Sequence, residues 1–189
     1  MESNIQFIPF NSPTNKGWDE AWELYQNSFP YKEIRSLEDH LQAMKDPRFA
    51  AEGIWLDDKL IGIFYYWRWR NEFYYGEHLA IIPELRNANM GSKVLTQFCA
   101  KIKGVILEID PPIDDISKRR KVFYERLGFV ANPQEYLHPS FREPFLTHQL
   151  VLMSYPALLT NDEIREFADF IREVVLRYSE HRNPTLPKL

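Results

Sequence analysis

The order of apolar segments along the 189-residue chain predicts an α/β (α+β) fold, a mixed sheet with helices on its faces. Three features carry that expectation. Between residues 53 and 82 the chain reads as strands joined by tight turns, with no helical pattern between them. From residue 90 to 155 helix and strand patterns alternate, and after residue 160 an amphipathic stripe closes the chain.

The elements follow in order. Ile5 to Pro9 reads as a short strand, and Trp18, Ala21, Trp22 and Tyr25 then share one face of a helix. NSFPYKEIRS, residues 27–36, interrupts it. Ser36 reads as an N-cap with Asp39 three residues later, opening a second helix through Leu37, Leu41 and Met44 that DPRF closes. GIWLDDKLIGIFYYWRWR reads as a hairpin turning at Asp57–Asp58, with β-favouring aromatics on both sides. Asn71–Glu72 makes a second turn into a strand from Phe73 to Ile82, which Pro83 ends. ELRNANMGSKVL leads into a helix from about Met90 to Lys103, and VILEID (Val105 to Asp110) is an apolar strand stopped by Pro111–Pro112. A helix from Ile116 to Arg126 ends at Gly128, and a loop-rich stretch after Asn132 runs to the strand THQLVLMSY. Thr160 and Glu163 form a capping box. The closing helix then aligns Ile164, Phe167, Ala168, Ile171, Val174, Val175 and Tyr178 on one stripe. Residues 1–157 are expected to form one domain, with 158–189 a helix and tail packed on it or on a partner.

Composition narrows the function classes. Lys and Arg number 23 against 27 Asp and Glu, a formal charge of −4, which speaks against a nucleic-acid partner. The one cysteine, Cys99, excludes an internal disulfide framework and a cysteine-cluster zinc site, and its apolar neighbours make it a buried thiol. The five histidines (His40, His78, His138, His148, His181) show no i, i+4 pair, so no metal is expected. The N-terminus lacks a signal-peptide pattern and no run of about 18 apolar residues occurs, so a cytoplasmic protein without a membrane span is expected.

Two stretches carry candidate chemistry. ELRNANMGSKVL runs from a strand into a helix N-terminus, where unpaired N–H groups and the helix dipole favour an anion. Arg86 adds a fork suited to phosphate, Asn89 tolerates the positive φ such a turn demands, and Gly91 leaves one position bare. A merely polar turn would read the same way. The second stretch, SKRRKVFYERLGF, presents Tyr124 near the end of a helix that Gly128 stops. An aromatic packed on its neighbours is the plainer reading of that tyrosine alone.

Taken together, RNANMGSKVL resembles the Arg/Gln-x-x-Gly-x-Gly/Ala acetyl-CoA motif of the GCN5-related N-acetyltransferases (GNAT). FYERLGF is similar to that superfamily's late, tyrosine-bearing helix, and one strand lies between the two, as in the family. The resemblance covers about Ile5 to Tyr155 and departs at Asn89, where the family has Gly. It implies a GNAT-like sheet that passes from antiparallel to parallel and splays at its centre, with the closing helix an addition.

The same resemblance implies acetyl-CoA as co-substrate and transfer of its acetyl group to a primary amine by direct attack. Its diphosphate would rest on Arg86, Asn87, Ala88, Asn89, Met90, Gly91 and Ser92, and its pantetheine along the strand near Leu79 and Ile81. Tyr124 would protonate the leaving thiolate. Glu77 is the first candidate for the base, on strand parity with Tyr75, Leu79 and Ile81; pairing with Arg68 or Arg70 is the alternative. His78 alternates away from Glu77 and reads as packing. Glu108, acidic within an apolar strand, is the second candidate. The resemblance also implies that Phe29, Tyr31 and Glu33, with Trp67 or Trp69, touch the acceptor, a small-molecule or peptide amine; packing in the core is the alternative for each aromatic. The KRRK run would face solvent or the nucleotide's phosphates. Alternatives are a catalytically silent CoA-binding regulatory module, which Asn89 favours and Tyr124 opposes, and an interaction protein docking through its closing helix. A monomer and a homodimer both remain open.

Overall fold

In the computed structural model, which describes residues 5–86, 88–143 and 146–182, alternating side chains build one eight-stranded sheet with a separate core on each face. The strands are β1 (Ile5–Pro9), β2 (Phe49–Leu56), β3 (Lys59–Arg70), β4 (Phe73–Ile81), β5 (Gly104–Ile109), β6 (Val130–Ala131), β7 (Tyr136–Pro139) and β8 (Thr147–Tyr155). The helices are α1 (Trp18–Ser28), α2 (Leu37–Ala43), α3 (Met90–Cys99), α4 (Asp115–Arg126) and α5 (Asn161–Glu173). Strand order is β1-β2-β3-β4-β5-β8-β6, with β7 also paired to β8. Asp57 and Glu72, both at positive φ, turn β2 into β3 and β3 into β4.

All contacts are antiparallel except β4 with β5, which run parallel from Phe73–Gly104 to Gly76–Leu107 and no further. Beyond Gly76 the two strands part, and β5 continues alongside β8 to Ile109. Gly76 lets them meet at the fork: a Cβ there would lie 2.5 Å from Leu107 Cδ2. Just past it, β4 is bulged. Tyr66 pairs with Gly76 and Tyr65 with His78, so Glu77 is an extra residue without a partner on β3.

One core holds Trp18, Tyr25, Ile63, Tyr65, Tyr75 and the apolar stripe of α5; the other holds Ile54, Phe64, Val94, Phe98, Leu107 and Phe129 beneath α3 and α4. Helix starts match their signals. Ser36 accepts from the Asp39 N–H, while Asp114 with Ser117 and Thr160 with Glu163 close capping boxes at α4 and α5. Phe167 of α5 is fully buried against Trp69, Tyr75 and Tyr136, so this helix completes the sheet's own core.

The structure differs from expectation at several ends. α3 stops at Cys99, because the Lys103 and Gly104 N–H groups already bond Glu72 O. α5 stops at Glu173, and the rest of its stripe continues on a 3₁₀ turn over Val175–Tyr178, whose Val175 and Tyr178 carbonyls accept from Arg35. β6 and β7 lie in the stretch read as loop; at two and four residues they are too short for a periodic signal. Cys99 is buried, and burial pushes its thiol up to about 11. Among the described residues no helix is long and apolar enough to cross a membrane, and no group of three His, Cys, Asp or Glu is arranged to hold a metal ion.

His40 sits among Trp18, Trp22, Tyr25, Phe49 and Tyr65, with neither ring nitrogen bonded. Burial, seconded by the Arg35 charge, lowers its pKa from 6.5 to about 3. A group held below its unfolded value stabilises the fold above that value and loses the contribution as pH falls. Stability measured by urea unfolding is therefore predicted to decline as pH drops from 6.5 toward 3, and His40→Phe to flatten that decline. An unchanged slope in the variant would assign the pH dependence elsewhere.

Candidate active site

The parting of β4 and β5 opens a cleft of about 760 Å³, walled by both strands, by the N-terminal ends of α3 and by α4. On the β4 side the edge from Glu77 to Ile81 has no pairing with β5, so its backbone groups face the cleft; Leu79 and Ile81 line it there. At one end lies the corner that leads into α3. Asn89 adopts the left-handed conformation (φ 59, ψ 15) and its side chain makes no cap, so among the described residues no N-cap side chain takes up the first N–H groups of α3, which begins at the edge of the cleft. Gly91 and Ser92 line the opening, and Arg86 is tethered beside it by Nε donating to Ile81 O at 3.0 Å. Gly91 also lets α3 approach α4, since a Cβ would already stand 3.4 Å from the Phe123 ring.

Tyr124 faces the same cleft from α4, its ring held edge-on by Phe123 and Phe129. Burial raises its pKa against the opposing pull of Arg120, so the phenol keeps its proton at neutral pH. Arg120 is itself paired with Asp110 at 2.7 Å. The opposite end of the cleft is bounded by Phe29 and Glu33, by Phe141, and by His138 and His148 from β7 and β8. Glu108 reaches in from β5, with Oε2 accepting from the Tyr75 hydroxyl at 2.6 Å.

Other residues marked from the sequence lie elsewhere. Asn87 lies outside the described residues. Met90 turns its side chain into the core and Ala88 is exposed outside the lining, which leaves each only its backbone to offer. Tyr31 is 65% exposed, with the Arg142 guanidinium over its ring, and does not line the cleft. Trp67 is wholly buried, stacked on Tyr178, and is a core residue instead of an acceptor contact.

Glu77 requires the largest correction. The bulge turns it and His78 to one face, away from Leu79 and Ile81, so neither the shared parity nor the alternation of His78 holds. Its partner is neither Arg68 nor Arg70 but Arg35, which grips both oxygens: Nη1 donates to Oε2 and Nη2 to Oε1. Trp67 Nε1 donates to Oε1 at 3.1 Å, and His78 Nδ1 lies 3.3 Å from Oε2. Burial favours protonation of Glu77, but the Arg35 charge and these hydrogen bonds outweigh it and hold the carboxyl far below the ordinary range. A carboxylate so held is a poor proton acceptor at neutral pH. Arg70 pairs with Glu163 and Glu166 of α5.

Arg35 is not singled out by the sequence, and His138 and His148 enter it only as histidines without metal spacing. Arg35 sits in an irregular loop and meets Glu77 only through a bulge, and the two histidines belong to strands with weak or crowded signals. The one legible hint was the LHP and THQ tripeptides in an otherwise apolar setting.

Comparison with known proteins agrees with this geometry. The acetyltransferase (GNAT) domain family matches residues 50–131. A protein from Bacteroides thetaiotaomicron assigned to the GNAT family shares 30% identity and a TM-score of 0.83, over 90% of this chain and 98% of that one. A GNAT acetyltransferase from Elizabethkingia anophelis with acetyl-CoA bound has 15% identity and a TM-score of 0.54, over 80% and 97%. The ribosomal-protein-S18-alanine N-acetyltransferase from Escherichia coli has 12% identity and a TM-score of 0.56, over 84% and 97%. No curated protein sequence matches the chain. The fold and the cleft define an acyltransferase scaffold, and the chain belongs to the GNAT family of acetyltransferases. It is an enzyme of that class.

Removing one partner of a buried ion pair strands the other charge, at a cost of about 3–5 kcal/mol. Glu77→Gln is predicted to lose that much by urea unfolding, because Arg35 and Glu77 are both buried. Since Glu77 is held below its unfolded value of 4.5, the wild-type contribution is present above that pH and lost below it. A loss under about 1 kcal/mol would show that water or another group replaces the carboxylate.

Proposed function

We propose that this enzyme transfers the acetyl group of acetyl-CoA to a primary amine, borne by a small molecule or a peptide, through direct attack on the thioester. The observation that carries the reading is the pairing, within one cleft, of an open helix N-terminus at Asn89 with a protonated phenol at Tyr124. The corner suits the coenzyme diphosphate, with Arg86 alongside. Asn in place of the family's glycine is accommodated because it adopts the required left-handed backbone. The unpaired edge of β4 offers N–H groups to the pantetheine arm and to the oxyanion that develops on the thioester carbonyl. One such donor contributes ~3 kcal/mol to the transition state in a dry site.

The neutral amine nitrogen forms a bond to the carbonyl carbon, and the carbonyl π electrons move to oxygen. Collapse of the tetrahedral adduct breaks the C–S bond, and Tyr124 gives its proton to the departing thiolate. The resulting phenolate takes the extra proton from the acetylated nitrogen, so Tyr124 ends as it began. One proton, that of the starting ammonium, must still leave.

The test is calorimetric titration with CoA, followed by thiol release from acetyl-CoA against a panel of amines and peptides. Binding in the micromolar range is expected, and no heat at millimolar CoA would overturn the reading. Tyr124→Phe is predicted to lower kcat by roughly 10²–10⁴-fold while leaving the CoA Kd in place. Equal turnover in the two proteins would remove Tyr124 from the acid role. Arg86→Glu is predicted to weaken CoA binding at least tenfold, with thermal stability unchanged.

A further inference from the structure

The acceptor end of the cleft contains a row of four titratable side chains. His138 Nε2 lies 3.8 Å from Glu108 Oε2, the His138 and His148 rings are 5.7 Å apart, and His148 Nε2 lies 3.8 Å from Glu33 Oε1. Side-chain exposure along the row is 11% at Glu108, 4% at His138, 14% at His148 and 28% at Glu33, so the Glu33 end is the most open. Its polar atoms are unusually idle. Among the described residues, His138 Nε2, Glu108 Oε1 and both ring nitrogens of His148 are buried without a hydrogen-bond partner, a condition that buried polar atoms in folded proteins rarely tolerate.

The tautomer of His138 follows from its one bond. Its Nδ1 lies 2.6 Å from Pro139 O, which can only accept, so Nδ1 carries the hydrogen and Nε2 presents a lone pair. That lone pair lies beside Glu108, whose Oε2 also accepts from the Tyr75 hydroxyl and whose carboxylate is neighboured by the Tyr136 phenol. A base oriented on one side and faced by a carboxylate on the other is the arrangement that stabilises an imidazolium once formed. Charge at this end agrees. Of the carboxylates lining the cleft, Glu77 and Asp110 are matched by Arg35 and Arg120, whereas Glu33 and Glu108 have no Lys or Arg within ion-pair distance among the described residues. Phe29 and Phe141 supply apolar walls.

We propose that this row is the acceptor subsite for a cationic amine, and that His138, backed by Glu108, is the base that takes the ammonium proton. The assignment rests on the acetyl-transfer reading above and supplies the proton exit it lacks. An ammonium N–H bond breaks, the proton bonds to His138 Nε2, and the freed nitrogen lone pair attacks the thioester. The imidazolium then returns its proton to solvent past His148 and Glu33. Burial, followed by repulsion from Asp110, raises the Glu33 pKa above its ordinary value, and burial lowers His148 to about 4, so the His148 ring is uncharged at neutral pH and does not compete with a cation entering the subsite. Groups facing His138 are Glu108 from β5, His148 from β8, Glu33 from the turn after α1, His181 from the last turn, and Tyr136 on its own strand.

The experiment compares wild type with His138→Gln on propylamine, 1,4-diaminobutane and glycine, reading kcat/KM from pH 6 to 10 and CoA affinity by calorimetry. Diaminobutane is expected to exceed glycine, whose carboxylate would face Glu33 and Glu108. The variant is expected to lose roughly 10²–10⁴-fold at neutral pH, to keep climbing with pH as free amine accumulates where wild type levels off, and to bind CoA as before. A variant within twofold of wild type with the same pH profile overturns the assignment. Should the variant not fold, ¹⁵N imidazole spectra of wild type with CoA and diaminobutane decide. A change in the His138 Nε2 signal is expected, and an unmoved signal overturns the assignment. Absent CoA heat in wild type brings down the acetyl-transfer reading and this one together; CoA heat with an unmoved His138 signal brings down this one alone.

Discussion

The bidentate grip of Arg35 on Glu77 is the constraint on which the architecture of the cleft depends. Both groups are withdrawn from water, a cost of several kcal/mol per ion that only close pairing offsets. The guanidinium is enclosed by Phe49, Trp67 and Phe141, and its remaining N–H groups reach Tyr178 O and Val175 O. Its own backbone N–H donates to the Tyr25 hydroxyl. One side chain thus ties the loop after α1, the bulge of β4 and the segment after α5 to a single point. The closing segment is therefore part of the site's foundation, although none of its described residues lines the cleft.

From that point the chemistry of the cleft follows. The bulge frees the far half of β4 from regular alternation just where β5 departs, and the departure leaves backbone donors with nothing to bond. The carboxylates fall into two kinds as a result. Glu77 and Asp110 have guanidinium partners and serve structure, while Glu108 and Glu33 face histidines and are left for an incoming charge. Sequence position alone does not separate the two kinds.

Much of the fold was legible in local pattern. The hairpins, the N-cap at Ser36, the capping box at Thr160 and the turn at Asn89 each rest on interactions within a few residues, which sequence displays directly. That Asn89, Tyr124, Glu33, Phe29 and Glu108 line one cleft agrees with the resemblance, the element order and the oddity of an acid in an apolar strand. What failed was non-local. Glu77 was placed by strand parity, and one inserted residue reverses parity for everything before it. Trp67 read as a pocket aromatic because an aromatic run looks the same whether it lines a cavity or fills a core. His138 lay on a four-residue strand whose existence depends on β8, and no window of its own sequence shows that pairing.

A last consequence concerns how such a protein is handled at the bench. The chain carries a single sulfhydryl, Cys99, buried in the core at the end of α3 and with its ionisation pushed up to about 11. The thiolate, which is the form that reacts with disulfide reagents and maleimides, is scarce there at neutral pH. Colorimetric detection of liberated coenzyme thus meets almost no background from the folded catalyst, and a rising chromophore signal in a substrate-free blank would itself report unfolding.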